Sequence, residues 1–163
     1  MKKKLFVLLM VLMALSMVTS PALARRRPDK AEGLWQYQPF VLDVKEVGCK
    51  TYLTTFENGI WTGTFKGTST EDGKILINCK GAWFFKAMIS FEGSVDGKSG
   101  TLKMWASGWR PDTDTEWRGR YVILSGTGEL ANLRGLGRWW GPGATAPEAW
   151  GDIYYEGRHH FKH

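Results

Sequence analysis

The sequence predicts an all-β chain, an eight-stranded antiparallel β-barrel with at most one short helical turn. Three observations lead there. Phe91 to Leu102 reads as strand, tight turn, strand, with Asp96-Gly97-Lys98-Ser99-Gly100 as the turn. Gly126-Thr127-Gly128-Glu129-Leu130-Ala131-Asn132-Leu133-Arg134-Gly135 repeats the pattern downstream. Aromatic or small residues alternate with polar ones along the chain, and no long amphipathic helix interrupts them.

The alternation places the strands at roughly 35–46, 50–56, 60–69, 81–94, 100–109, 115–125, 134–140 and 150–161. Trp61, Gly63, Phe65 and Gly67 share one face of a strand. Trp83, Phe85, Ala87, Ile89 and Phe91 share a face of the next, with Lys86, Ser90 and Glu92 opposite. Trp117, Gly119, Tyr121 and Ile123 form a third such face, and Ile153, Tyr155, Gly157, His159 and Phe161 a fourth. One apolar and one wetter face per strand is what a sheet curled around a single core requires. Glu57-Asn58-Gly59 and Glu71-Asp72-Gly73 carry turn chemistry suited to positive φ. Arg110 to Asp114 reads as a polar loop, and Gly141 to Pro147 as the longest loop, placed to cover a barrel mouth. Glu129 to Leu133 has room for one helical turn, whose Leu130 and Leu133 would plug one end.

Residues 1–24 read as a secretory signal peptide. Lys2, Lys3 and Lys4 precede an apolar run from Leu5 to Val18, which is short for a membrane span, and Ala22-Leu23-Ala24 matches an A-x-A cleavage site. Residues 25–33 follow as a flexible leader and 34–163 as one barrel domain. The expected location is periplasmic or secreted, with no stable membrane anchor after cleavage. Removing the signal lowers the formal net charge from +6 to +3, and Arg25, Arg26 and Arg27 account for that remainder. A nearly neutral body argues against nucleic acid as a partner. Cys49 and Cys79 are the only cysteines, and in an exported chain they read as a disulfide. It would stabilise the fold by on the order of 3–4 kcal/mol in the chain-entropy model.

The motif F-x-G-x-x-D-G-x-S-G-T at Phe91 to Thr101, followed by G-T-G-E-L-x-x-L-x-G at Gly126 to Gly135, resembles small barrels of the allene oxide cyclase-like superfamily. The resemblance covers roughly residues 60–161 and rests on structural turns. It implies an eight-stranded barrel whose interior can hold an apolar molecule. It does not carry the plant cyclase activity over, because that enzyme's catalytic carboxylate matches no position in this sequence.

No catalytic motif stands out. Gly126 to Ala131 fits G-x-G-x-x-A, yet Gly135 and Gly137 leave no helix long enough to present its N-terminus to a pyrophosphate. The histidines are His159, His160 and His163, with no third converging ligand, so neither a metal nor a cofactor is expected. Asp43, Glu92, Asp96 and Glu129 are the carboxylates nearest apolar strands. Trp61, Phe65, Trp83, Phe85, Tyr121, Tyr155 and His159 lie on apolar faces and are the expected lining of a ligand-binding interior. Glycines 63, 67, 119 and 157 on those faces remove side-chain volume and point to a partial void. Trp105 and Trp109 face away from Leu102, Met104 and Ala106, and Trp139 and Trp140 point opposite ways.

These features support an exported barrel that binds a small apolar or amphipathic ligand. Two alternatives stay open: an isomerase or cyclase using the cavity, and a glycan- or protein-binding module using outer tryptophans. A homo-oligomer is also left open. A cavity with converging polar groups favours the first reading, a buried carboxylate beside His159 the second, and a filled interior with exposed tryptophan pairs the third.

Overall fold

A computed structural model describes residues 27–162. The expected signal peptide at 1–24 lies outside the described residues. Eight antiparallel strands follow one another around a closed barrel in chain order, β1(Asp29–Val47), β2(Lys50–Gly63), β3(Phe65–Ile77), β4(Trp83–Val95), β5(Lys98–Arg110), β6(Trp117–Gly126), β7(Leu133–Gly143) and β8(Gly151–Phe161). The ring closes where β1 pairs with β8, from Asp29↔His159 to Tyr37↔Gly151. Beyond Tyr37, β1 leaves β8 and pairs with β2 alone, while β2 stays paired with β3 out to Thr51↔Ile77, so this side of the sheet extends past the β1–β8 seam.

The strand count agrees with the sequence reading, but three boundaries differ. β1 begins at Asp29, so residues 29–33 are strand and not leader; the small residues Ala31 and Gly33 continue the inward row that starts at Trp35. β2 passes through Glu57-Asn58-Gly59 and β3 through Glu71-Asp72-Gly73, neither of which is a turn. The actual β2–β3 turn falls at Gly63–Phe65, inside the stretch expected as one strand at 60–69. Gly59 and Gly73 serve to make room. A Cβ at Gly59 would stand 2.7 Å from Trp35 Nε1, and one at Gly73 would stand 3.3 Å from both Glu57 Oε1 and the Phe85 ring.

Other elements match closely. Asp96 and Gly97 have φ of 51° and 80° and form the two-residue β4–β5 hairpin loop, shorter than the expected Asp96–Gly100 turn because Lys98 to Gly100 already pair with Gly93 to Val95. Gly128–Leu130 is a single 3₁₀ turn, and Leu130 and Leu133 are fully buried at that end of the barrel. Cys49, in the β1–β2 turn, is disulfide-bonded to Cys79 in the β3–β4 loop, with the Cα atoms 4.9 Å apart. The bond staples two adjacent turns at the other end.

Inward-facing glycines are filled by neighbouring rings and leave no void of their own. A Cβ at Gly108 would meet the Trp139 ring at 2.4 Å, and one at Gly119 would meet the same ring and the Ser107 carbonyl at 2.3 Å. Tyr121 occupies the space over Gly137 and Gly157. Gly63 and Gly67 mark close strand crossings, where a Cβ would strike the carbonyls of Glu32 and Glu92. The expectation that glycines 63, 67, 119 and 157 open the interior is therefore overturned. Aromatic rings need that missing volume in so narrow a barrel. Overpacking at such a position typically costs about 1–3 kcal/mol. Gly119→Ala should lower the thermal unfolding midpoint accordingly, and an unchanged midpoint would contradict this packing.

Candidate functional site

The interior divides along the barrel axis. At the end closed by Leu130 and Leu133, Phe65, Phe91, Tyr121 and Tyr155 pack edge to face at 6.0–6.3 Å between centroids, apart from Phe65 and Tyr155, which are tilted at 5.4 Å. The Tyr155 hydroxyl donates to the Thr62 carbonyl and accepts from the Phe65 N–H, each at 3.0 Å, and so pins the β2–β3 turn. His159 is 1% exposed and its Nε2 lies 2.6 Å from Asp96 Oδ2. Ligand atoms of Asp29, Asp96 and His159 lie within 4.8 Å of one another. His163 lies outside the described residues.

At the opposite end lies a cavity of about 560 Å³. Trp35, Tyr37, Trp83, Phe85, Trp117 and Trp139 line it, with Glu57 and Thr55 from β2 and Arg110 from the end of β5. Trp139 stands edge-on to Trp35 at 6.3 Å, and Trp117 edge-on to Trp83 at the same separation. The Arg110 guanidinium lies over the faces of Trp83 and Trp117, 4.5 and 4.8 Å from their centroids.

Two ordered loops frame the mouth. In the β5–β6 loop, Asp112 Oδ1 accepts from the Thr115 hydroxyl at 2.6 Å and from the N–H groups of Thr115 and Asp114 at 2.8 and 3.1 Å. The β7–β8 loop is moored to β1: Ala144 N–H donates to the Tyr37 hydroxyl at 3.0 Å, and Glu148 N–H to the Pro39 carbonyl at 2.8 Å. Ala144 to Pro147 line the cavity, as expected for a loop covering a mouth.

Beneath the rings sit two buried carboxyl groups. Glu57 on β2 and Glu71 on β3 are cross-strand partners, 2% and 1% exposed. Such a pairing puts Cβ atoms about 5 Å apart on one face. Thr55 Oγ1 donates to Glu57 Oε1 at 3.1 Å and Ser69 Oγ to Glu71 Oε1 at 3.3 Å, while Glu71 Oε2 has no partner. Ser69 in turn accepts from Trp61 Nε1 at 2.9 Å, which links the pair to the packed half. Among the described residues no cation forms an ion pair with either glutamate. Burial pushes Glu57 up to about 7, partly offset by the Thr55 hydrogen bond. Burial and then the charge of Glu57 hold Glu71 well above the ordinary carboxylate range. Burial likewise pushes the Tyr37 hydroxyl up to about 12.

Of the residues expected to line a binding interior, Trp83 and Phe85 border the cavity. Trp61 lies behind Trp35, stacked at 5.1 Å, and Phe65, Tyr121, Tyr155 and His159 belong to the packed half. Sequence reasoning missed Glu57 and Glu71, because Asn58-Gly59 and Asp72-Gly73 read as turns. The alternation through Glu57, Gly59 and Trp61, and through Ser69, Glu71 and Gly73, was the signal that places both glutamates inside.

The comparisons agree with the fold. The profile of a family described as a protein of unknown function (DUF3224) matches residues 40–140. The chain belongs to this family. A crystal structure of a DUF3224 protein of unknown function from Shewanella oneidensis MR-1 is similar, at 18% identity and a TM-score of 0.66. The similarity covers 83% of this chain and 98% of that one. No curated protein matches. What these matches support of the sequence resemblance is the barrel architecture.

The buried pair sets a pH dependence. Folding raises both carboxyl pKa values, so the folded chain keeps protons that the unfolded chain releases near the ordinary value. The pair therefore favours the fold least above pH 7, and stability falls as pH rises from about 4.5 through 7. For Glu57 alone the difference is on the order of 3 kcal/mol, and Glu71 adds to it in the same direction. Thermal midpoints should drop between pH 5 and pH 8, and Glu71→Gln should flatten that drop. Equal slopes in the two proteins would contradict the assignment.

Proposed function

We propose that this DUF3224 chain is an exported barrel that binds a small apolar or amphipathic ligand in the cavity between Trp35, Phe85, Trp117 and Trp139. The carrying observation is the cavity itself. Its size falls within the range of small-molecule sites, and its inner wall is largely aromatic, with Thr55, Glu57 and Arg110 as polar groups among the rings and Thr113 to Glu116 at the mouth. The resemblance to allene oxide cyclase-like barrels points the same way, towards an interior that holds an apolar molecule. Export and cleavage after Ala24 are supported by the charged, apolar and A-x-A segments in order, and by the Cys49–Cys79 bond. Among the described residues, no helix is long and apolar enough to cross a membrane.

The alternatives draw less support. The carboxylate beside His159 is Asp96, whose side chain is 48% exposed, and the buried glutamates lie elsewhere. The outer-tryptophan reading has one specific feature. Cross-strand register aligns Phe84, Trp109, Arg118, Trp140 and Tyr154 across β4 to β8, with Trp140 stacked on Tyr154 at 6.3 Å. The interior nevertheless has an open half, which favours the cavity.

The neutral fluorophore N-phenyl-1-naphthylamine tests the reading. It should bind the purified protein one to one, with enhanced emission. Leu53→Trp, at the mouth, should weaken that binding about tenfold by filling the entrance, equivalent to about 1.4 kcal/mol. A protein that takes up no probe loses this reading, and the outer aromatic row becomes the better candidate.

A further inference from the structure

We infer that the cavity selects an organic cation, an ammonium group on an apolar body, with the head held against Glu57 and the body among the tryptophan rings. This rests on the ligand-binding reading above and names the ligand's chemical class. Three observations carry it.

The first is an acidic floor with no counter-ion. Glu57 lines the cavity and Glu71 lies directly behind it, and neither is ion-paired among the described residues. Two adjacent carboxyl groups away from water are costly unless a cation compensates them or they keep a proton. A bound ammonium would supply that compensation, and a charge-assisted hydrogen bond is stronger than a neutral one.

The second is the wall. Trp and Tyr faces attract cations through the ring quadrupole, most strongly where water is excluded. The protein already uses these rings in that way, since the Arg110 guanidinium rests on Trp83 and Trp117. That pairing leaves Trp35, Tyr37 and Trp139 without a cation–π partner among the described residues.

The third is space. Gly73 faces inward beside Glu57, and any side chain there would strike Thr55 Oγ1 at 2.2 Å and crowd Glu57 Oε1. The missing Cβ leaves room for the carboxylate beside Thr55 and Phe85. Other charged or titratable groups at the site are Tyr37 on β1, Arg110 on β5, and Asp114 and Glu116 in the mouth loop. Arg110 is engaged with the rings at the rim, and the two acidic residues there favour entry of a cation.

Three ligands of one skeleton test this: decylammonium, decanol and decanoate, titrated calorimetrically below their aggregation concentrations. At pH 8 Glu57 is ionised and the amine still protonated. Decylammonium should then bind about tenfold more tightly than decanol, and decanoate most weakly. At pH 5.5 Glu57 holds its proton, and the preference of cation over alcohol should fall by about tenfold. Glu57→Gln should remove the same preference at pH 8. The wild-type pH series keeps the test decisive should that variant fail to fold. If decanol binds as tightly as decylammonium at both pH values, or decanoate binds best, the cation inference is overturned while the ligand-binding reading stands. If none of the three binds and the neutral fluorophore is also refused, both fail.

Discussion

Width is the constraint from which the rest of this barrel follows. Eight strands enclose a bore that side chains can just fill, and this chain places ten or so large rings in it. They fit only because glycines on facing strands give up their own volume. Trp139 lies against Gly108 and Gly119, and Tyr121 against Gly137 and Gly157. Where ring and glycine match, the interior is solid, capped by Leu130 and Leu133. Towards the other end rings such as Trp35, Phe85 and Trp139 still rest on glycines at the wall, but they surround open space.

The polar groups fall at the boundary between these halves. Thr55, Glu57, Ser69 and Glu71 form a short buried row on β2 and β3, tied to the packed side through Trp61. A buried carboxyl pair without a counter-ion works against the fold at neutral pH. The Cys49–Cys79 bond joins the turns that flank these same two strands, at the mouth end where β1 has left β8 and keeps only its pairing with β2. It reinforces the part of the barrel where core packing is thinnest.

Much of this was legible in the sequence. Alternation from Trp83 to Phe91, and the turn chemistry from Asp96 to Gly100, placed β4 and β5 to within two residues, although the loop itself is only Asp96-Gly97. The buried ends at Leu130 and Leu133 followed from a turn too short to be a helix. The site itself was harder to read, for a physical reason. Asn-Gly and Asp-Gly favour positive φ in isolation, yet at Gly59 and Gly73 the glycine is used for its missing Cβ, beneath Trp35 and beside Glu57. Local turn chemistry and cross-barrel packing ask for the same residue, and only the pairing of β2 with β3 tells them apart. Likewise, adjacent tryptophans such as Trp139 and Trp140 must face opposite ways, but which one enters the barrel depends on partners such as Gly119 and Gly108, twenty or more residues distant in the chain.

The central claim is that Glu57 and Glu71 form a buried, proton-holding pair at the base of an aromatic cavity. Carbon-13 NMR of protein labelled at the glutamate side-chain carboxyl, followed from pH 4 to pH 9, measures it directly. Two resonances, assigned through Glu57→Gln and Glu71→Gln, should titrate apart from the rest, that of Glu57 near pH 7 and that of Glu71 well above the ordinary carboxylate range. If every glutamate instead titrates near its ordinary value of about 4.3, the pair is solvated and the account of the site is wrong.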